Sequence, residues 1–222
     1  MTTLSVERPT APRRTNGSLP PVPPERGGGD GPDRDPAPRP PLDNVRIAML
    51  FLICAEVMFF GGLVSAFLVL RATAAVWPPP LQPRLPVGVT AVNTLVLFAS
   101  SVAMAAALQA LHRGDTRALV RRLGLAAALG AGFLLVQGYE WVRLVSFGLT
   151  LSSDAYGTTF YSLIGAHAAH VLGALVWVAV VALLAARGRF TDGRTGALRA
   201  CAIYWHFVVA LWPVLFVTVY LI

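Results

Sequence analysis

The chain has 222 residues, of which 55% are hydrophobic and only 13% are charged, and its mean hydropathy is +0.63. Because ordinary soluble domains carry about 25% charged residues, this composition excludes them and indicates a protein whose main solvent is lipid. The formal net charge of +7 comes from arginines scattered through short connections, so we expect no nucleic-acid partner.

The N-terminal residues 1–43 are dominated by Pro, Gly, Arg and Asp. Such a stretch cannot bury enough apolar surface to offset the entropy lost on ordering. It also lacks the apolar core of about 7–15 residues that a signal peptide needs. We therefore predict a disordered cytoplasmic tail at 1–43 and a transmembrane domain at 44–222.

Long apolar blocks follow the tail, separated by short polar connections. They predict transmembrane helices at about 46–71, 88–111, 122–147, 158–186 and 200–222. Each block is long enough to cross a hydrocarbon core of about 30 Å, and none shows the period-2 alternation of a barrel strand. The predicted fold is an all-α integral membrane protein, a bundle of five transmembrane helices.

The arginines predict the orientation of this bundle. Most of them lie in the tail and in the second and fourth connections, whereas few lie in the first and third. Because cytoplasmic segments carry an excess of positive charge, the N-terminus is predicted to be cytoplasmic and the C-terminus outside, on the periplasmic side.

The two cysteines, Cys54 and Cys201, lie inside apolar blocks and have no CxxC spacing. This pattern does not indicate a disulfide framework or a zinc ribbon. Both are interpreted as small buried hydrophobic residues.

Glu56 lies near the middle of the first apolar block. A carboxylate at that depth is costly, so its side chain should face other protein or a water-filled cavity. Two interpretations stay open from the residues alone. Glu56 is either a proton-handling carboxyl or a neutral acid that donates one interhelical hydrogen bond.

His167 and His170 are three residues apart and so share a face of the fourth helix. They could form half of a metal site, with His206 and Glu56 as candidates for further ligands. The alternative is interhelical hydrogen bonding, favoured by neighbouring Gly and Ala residues that allow helices to approach closely. No spacing connects the four residues, so we predict no metal site.

The second and last helices also carry polar groups. Asn93, Ser100 and Ser101 lie on roughly one side of the second helix and are expected to hydrogen-bond a neighbouring helix. Pro213 removes a backbone donor from the last helix and predicts a kink there.

Glu140 lies near the outer end of the third helix, three residues before Arg143, which predicts an ion pair on one face. Tyr139 and Trp141 beside it are typical of the aromatic belt at a membrane interface. The chain contains no Walker loop, dinucleotide fingerprint, CxxCH or HExxH motif, so the residues predict no catalytic site.

Several short segments lie in a fixed order on these helices: 55–60 (AEVMFF), 93–95 (NTL) with 100–101 (SS), 139–141 (YEW), 157–161 (GTTFY) with 167–173 (HAAHVLG), and 204–207 (YWHF). Together, over residues 46–222, they resemble subunit III of the haem-copper oxidases. The resemblance is to the short, five-helix bacterial form of that family.

This resemblance implies a non-catalytic subunit of a proton-pumping cytochrome c oxidase in the bacterial plasma membrane. It implies contacts with subunit I, mainly, and with subunit II, where the haem and copper are held, so that no cofactor is expected in this chain. It also implies bound structural phospholipids and a role in sustaining proton uptake while electrons pass to oxygen.

The same resemblance implies roles for particular residues. Glu56 matches the family's buried, carbodiimide-reactive carboxyl and is expected to be proton-related. The positions expected to fix helix packing or to contact lipid or other subunits are Asn93, Ser100, Ser101, Glu140, Trp141, His167, His170, Tyr204, Trp205 and His206.

The chain departs from the family pattern at Val209, where the family usually has aspartate, and at Ala166, Ala168 and Ala169 around the two histidines. Two alternatives therefore stay open. One is a subunit III-like accessory protein of nitric oxide reductase, and the other is a free-standing membrane metalloprotein or transporter. The residues also leave the electron donor open between cytochrome c and quinol.

Overall fold

The computed structural model describes residues 44–79, 85–150, 155–190 and 195–221, so the predicted tail at 1–43 lies outside the described residues. The helices are α1 (Asn44–Thr73), α2 (Val87–His112), α3 (Thr116–Ser146), α4 (Ala155–Ala186) and α5 (Gly196–Phe216), and a π-helical turn (Val217–Leu221) follows α5. Over these ranges there is no strand, and 5 helices are long and apolar enough to cross a membrane. The predicted all-α bundle of five transmembrane helices is confirmed.

The third helix begins before the apolar block that predicted it. Asp115 precedes Thr116, and its carboxylate accepts a hydrogen bond from the backbone N–H of Ala118 at 2.9 Å. This is an N-cap, which stabilises the first turn of a helix. The added residues 116–121 include Arg117 and Arg121, which lower the hydropathy of this stretch, so hydrophobicity alone does not detect them.

The helices differ in how far they are enclosed. α2, α3, α4 and α5 pack successively against one another, and α2 also contacts α5, whereas α1 packs mainly against α4 and α5. Within the most apolar window of α1 only 11% of the residues are buried, compared with 28% to 44% in the other helices. Most of α1 therefore faces outward.

The core is filled by large side chains from α3, α4 and α5. Trp205 and Trp212 on α5 are fully buried, as are Phe133 on α3 and Phe160 on α4. The rings of Phe133 and Trp212 meet edge to face, with centroids 5.1 Å apart. These aromatic contacts join α3 to α5 through the middle of the bundle.

The two cysteines lie in different environments. Cys201 on α5 is buried, whereas Cys54 on α1 is exposed. The expectation that both are buried was therefore wrong for Cys54. Cys54 lies on a face of α1 that does not contact α4 or α5. In a membrane protein, an apolar sequence does not show which face of the helix contacts protein and which contacts lipid.

Candidate functional site

Glu56 on α1 and His170 on α4 form a polar pair across the two helices. The Nε2 atom of His170 lies 3.1 Å from Oε2 of Glu56. The two side chains are mostly enclosed, since 25% of the His170 side chain and 14% of the Glu56 side chain are exposed. The pair thus joins α1, the least enclosed helix, to α4.

The second ring nitrogen of His170 determines how many protons this pair holds. Its Nδ1 atom lies 2.6 Å from the backbone carbonyl oxygen of Ala166. A carbonyl oxygen only accepts hydrogen bonds, so Nδ1 carries a hydrogen. The contact to Glu56 then holds one further proton, either on the carboxyl or on Nε2. In both forms the pair has no net charge, which suits a site of low dielectric constant.

Aromatic rings surround this pair. The centroids of the Phe59 and Phe60 rings lie 5.9 Å and 5.1 Å from that of His170. A cavity of about 280 Å³ opens beside the pair and is lined by Ala55, Glu56, Phe59 and His170. The cavity faces the outside of the bundle, between α1 and α4.

His167, one turn before His170, has a different environment. It is 1% exposed, and neither of its ring nitrogens has a hydrogen-bond partner among the residues that the structure describes. Its ring stacks on Trp212, with centroids 5.1 Å apart, and meets the Phe60 ring edge to face at 6.4 Å. Of the two histidines, only His170 contacts Glu56.

The four candidate metal ligands, His167, His170, His206 and Glu56, do not meet at one point. His206 pairs with Ser101 on α2, with Nδ1 and Oγ 2.6 Å apart, whereas Glu56 pairs with His170 on α4. Within the described part of the chain, no three His, Cys, Asp or Glu side chains form a group that could hold a metal ion.

The serines of α2 contact α5. Trp205 donates its indole N–H to Ser100 Oγ at 3.3 Å, and Ser101 makes the contact with His206. These two pairs join α2 to the first half of α5, so the YWHF segment is held from α2.

Closer to the start of α2, two more side chains contact neighbouring helices. Asn93 donates from Nδ2 to the backbone carbonyl of Phe133 on α3 at 3.0 Å. Thr94 Oγ1 accepts the indole N–H of Trp212 on α5 at 2.8 Å. Both groups are buried, and such bonds fix the register of packed helices.

Two other positions of α5, Tyr204 and Val209, have different neighbours. The Tyr204 ring lies 6.0 Å from that of Trp177 on α4 and 6.3 Å from that of Phe207. Val209 is buried in the core, so an apolar side chain suits the position where the family usually has an acid.

Glu140 lies near the C-terminal end of α3. Its side chain is buried, and both carboxylate oxygens accept from Nη1 of Arg143, at 3.1 Å and 3.2 Å. Arg143 also lies over the Tyr139 ring, 5.9 Å from its centroid. Trp141 packs edge to face with Tyr161, at 6.0 Å between centroids.

One buried polar pair close to Glu140 was not predicted from the sequence. Gln137 donates from Nε2 to the hydroxyl of Tyr220 at 3.1 Å, and both side chains are buried. Gln137 lies three residues before Glu140 on the same helix face, which was a usable signal. Nothing in the spacing indicated Tyr220 as its partner.

These features define a class of protein: a multi-pass membrane bundle held by a few buried polar pairs, with no metal-ligand cluster in the part that the structure describes. Residues 41–222 match the family model of cytochrome c oxidase subunit III. The chain belongs to this family, and the predicted resemblance to subunit III of the haem-copper oxidases is confirmed.

Individual relatives agree with this family. The chain is 37% identical over 182 residues to cytochrome c oxidase subunit 3 of Corynebacterium diphtheriae, covering 80% of this chain and 88% of that protein. It is 36% identical over 182 residues to a probable cytochrome c oxidase subunit 3 of Nocardia farcinica, with the same coverage. Its identity to subunit 3 of Sus scrofa is 34% over 183 residues, covering 80% of this chain and 69% of that protein. Membership implies a place in an oxidase complex with other subunits.

Proposed function

We propose that this chain is the non-catalytic subunit III of a cytochrome c oxidase in a bacterial plasma membrane. In this role it packs against subunit I, with subunit II nearby, stabilises subunit I, carries structural phospholipids and supports proton uptake. Haem and copper belong to the partner subunits. The observation that carries the proposal is the Glu56–His170 pair, a contact between an acid and a base that joins α1 to α4 at a depth where α1 is otherwise apolar.

The chemistry of this pair supports a role in proton uptake. Because the pair is neutral with its proton, either gaining or losing one creates a net charge in a region of low dielectric constant. Such a group responds strongly to charges that change in an adjacent subunit. It therefore suits a site that senses or relays protonation in the partner.

A carboxamide variant tests this role. In Glu56→Gln the amide can donate to Nε2 of His170, so the contact is kept while the exchangeable proton is lost. We expect normal assembly with the haem- and copper-containing subunits, but slower proton uptake or fewer turnovers before inactivation. The measurements are metal and haem content after affinity purification, proton pumping in vesicles, and activity against turnover number.

The matched control makes the same chemical change elsewhere. Glu140→Gln replaces a carboxylate that is bound to Arg143 near the outer end of α3, and we expect unchanged proton uptake there. If Glu56→Gln leaves pumping, rate and lifetime unchanged, Glu56 is a packing residue only. If no haem- and copper-containing large subunit is recovered with the tagged chain, the oxidase assignment fails.

The orientation with a cytoplasmic N-terminus and an outer C-terminus is part of this proposal. The start of α1 shares its end of the bundle with most described arginines, whereas Arg71 and Arg143 lie towards the other end. The first group comprises Arg46, Arg113, Arg117, Arg121, Arg122, Arg187, Arg189 and Arg199. The positive-inside rule then supports this orientation. Protease added to sealed vesicles should reach residues 1–43 from the cytoplasmic side only, and cleavage from the outer side would contradict it.

A further inference from the structure

Two arginines on the first turns of α3 form an exposed cationic surface. Arg117 and Arg121 are both exposed and lie four positions apart, so they share one face of the helix. We call these two residues the α3 arginine stripe. Leu125 and Ala128 follow on the same face and are also exposed, Leu125 to 52%. This outward face of α3 is therefore cationic at its start and apolar beyond it.

The described part of the chain holds three acids, and none of them balances the α3 arginine stripe. Glu56 lies against His170 on α4. Glu140 is bound by Arg143 at the opposite end of α3. Asp115 accepts the cap hydrogen bond of α3 and lines a cavity together with residues of α4 and α5. Within the described ranges no ion pair involves the stripe, so its counter-charge comes from elsewhere.

The α3 arginine stripe lies at the level of lipid headgroups. The uninterrupted apolar stretch of α3 begins at Leu123, so Arg121 lies about 3 Å and Arg117 about 9 Å before it along the helix axis. The headgroup layer adds about 5–8 Å on each side of the hydrocarbon core. Because arginine side chains are long and flexible, both guanidinium groups reach the depth of lipid phosphates.

Phosphate is the anion that suits this surface. A guanidinium group binds phosphate through two parallel hydrogen bonds. The next arginine, Arg122, is already engaged, since its Nη1 atom donates to the backbone carbonyl of Ala106 on α2 at 2.6 Å. With no described acid on this face to hold the ammonium group of a zwitterionic headgroup, a headgroup with net negative charge is favoured.

We propose that the α3 arginine stripe binds the phosphate of an anionic phospholipid whose acyl chains lie along Leu125 and Ala128. The inference rests on the proposed function and deepens it, because it names the class of one structural lipid and its place on the bundle. The apolar continuation of the same helix face supports a lipid as the occupant, since a soluble anion would gain nothing from Leu125 and Ala128.

Removing the two charges tests this site in the intact complex. The double variant Arg117→Gln/Arg121→Gln loses both cations, whereas glutamine keeps a long polar side chain with good helix propensity. The purified complex is stripped of lipid in detergent and titrated with phosphatidylglycerol or phosphatidylcholine, and bound lipid is counted by native mass spectrometry. We expect the affinity for one phosphatidylglycerol to fall on the order of tenfold and the binding of phosphatidylcholine to stay the same. An unchanged affinity for phosphatidylglycerol would overturn the inference.

A second double variant is the matched control. Arg189→Gln/Arg199→Gln removes the same charge at the same end of the bundle. Both arginines are exposed, but Arg189 follows α4 and Arg199 belongs to α5, so they share no helix face. We expect this variant to retain phosphatidylglycerol normally. Equal losses in the two double variants would mean that lipid responds to net charge alone, which contradicts a site at the α3 arginine stripe.

Other anions would give different results in the same titration. If inorganic phosphate at the same concentration displaces the phosphatidylglycerol, the α3 arginine stripe binds free phosphate rather than lipid. If Arg117→Gln/Arg121→Gln keeps its lipid but loses another subunit, acidic side chains of that subunit are the counter-charge. Either result excludes the proposed lipid site.

The same preparations separate the two hypotheses. If the unsubstituted tagged chain brings down no haem- and copper-containing subunit, the proposed function fails, and the lipid titration is still measured on the recovered chain. If that subunit is recovered but both double variants retain phosphatidylglycerol like the unsubstituted chain, only the lipid site is wrong.

Discussion

The ring of Trp205 occupies the space that the side chain of any residue other than glycine would need at position 130. A Cβ built on Gly130 would lie 2.8 Å from Cζ2 of the indole, closer than real Cβ contacts allow. Trp205 is fully buried on α5 and Gly130 lies on α3, so the missing side chain lets the two helices pack around a large ring. This contact, together with the Ser100 hydrogen bond to the same indole, holds the centre of the bundle.

Gly130→Ala should therefore destabilise the bundle. The added methyl group forces the indole or the helices apart, and overpacking of this kind costs about 1–3 kcal/mol. Gly132→Ala is the control, because a Cβ there meets no atom within 4 Å and alanine favours the helix. Denaturant titration of both purified variants in detergent should show a loss only for Gly130→Ala. If the two variants have equal unfolding free energies, Trp205 moves aside for the added methyl group without loss of stability.

The Glu56–His170 contact should appear as a coupling free energy. Removing one partner leaves a buried polar group unpaired, whereas removing both leaves none. A double-mutant cycle with Glu56→Ala and His170→Ala should thus show a double variant less destabilised than the sum of the singles, by about 0.5–2 kcal/mol. Additive effects, measured by the same unfolding assay, would mean that the pair contributes no net interaction.

His167→Phe should leave the stability of the bundle unchanged or increase it, although His167 belongs to a segment that resembles the family pattern. Within the described ranges the ring nitrogens of His167 have no partner, and its stacking on Trp212 needs only a flat ring. Phenylalanine keeps that shape and removes the cost of two unpaired polar atoms. Strong destabilisation in the unfolding assay would reveal a hydrogen-bond partner for His167.

Thr94→Val should cost about 1–3 kcal/mol, because it removes the acceptor of the buried Trp212 indole N–H without changing the side-chain shape. Thr159→Val serves as the control, since the Thr159 hydroxyl donates to backbone carbonyls of its own helix, at Ala155 and Tyr156. Unfolding free energies and the fluorescence of the purified variants would measure both effects. A similar loss for the two variants would contradict a specific role for the Trp212 bond.

The sequence was sufficient to predict the number of helices and the fold class. Hydrocarbon requires every backbone polar group to be bonded within its helix, so each long apolar block can form only one kind of element. The beginning of α3 was not predicted, because two arginines lower the hydropathy of its first turns and the Asp115 cap determines where the helix starts. Hydrophobicity thus marks where a helix meets lipid rather than where it begins.

The pairing of side chains was less predictable than the helices that carry them. His167 and His170 share a helix face in the sequence, yet only the packing of α1 on α4 decides which of them meets Glu56. Gln137 and Tyr220 are 83 positions apart, and nothing local links them. Such contacts depend on the depth and rotation of one helix against another, which a hydrophobic block does not specify.

The separation of Glu56 from His170 along the chain has a consequence for biosynthesis. Because α1 leaves the ribosome long before α4, Glu56 must enter the bilayer when no imidazole is present to accept its proton. The Glu56–His170 contact therefore forms only after α4 has entered the bilayer and packed against α1, and until then Glu56 is a costly group at that depth without its partner.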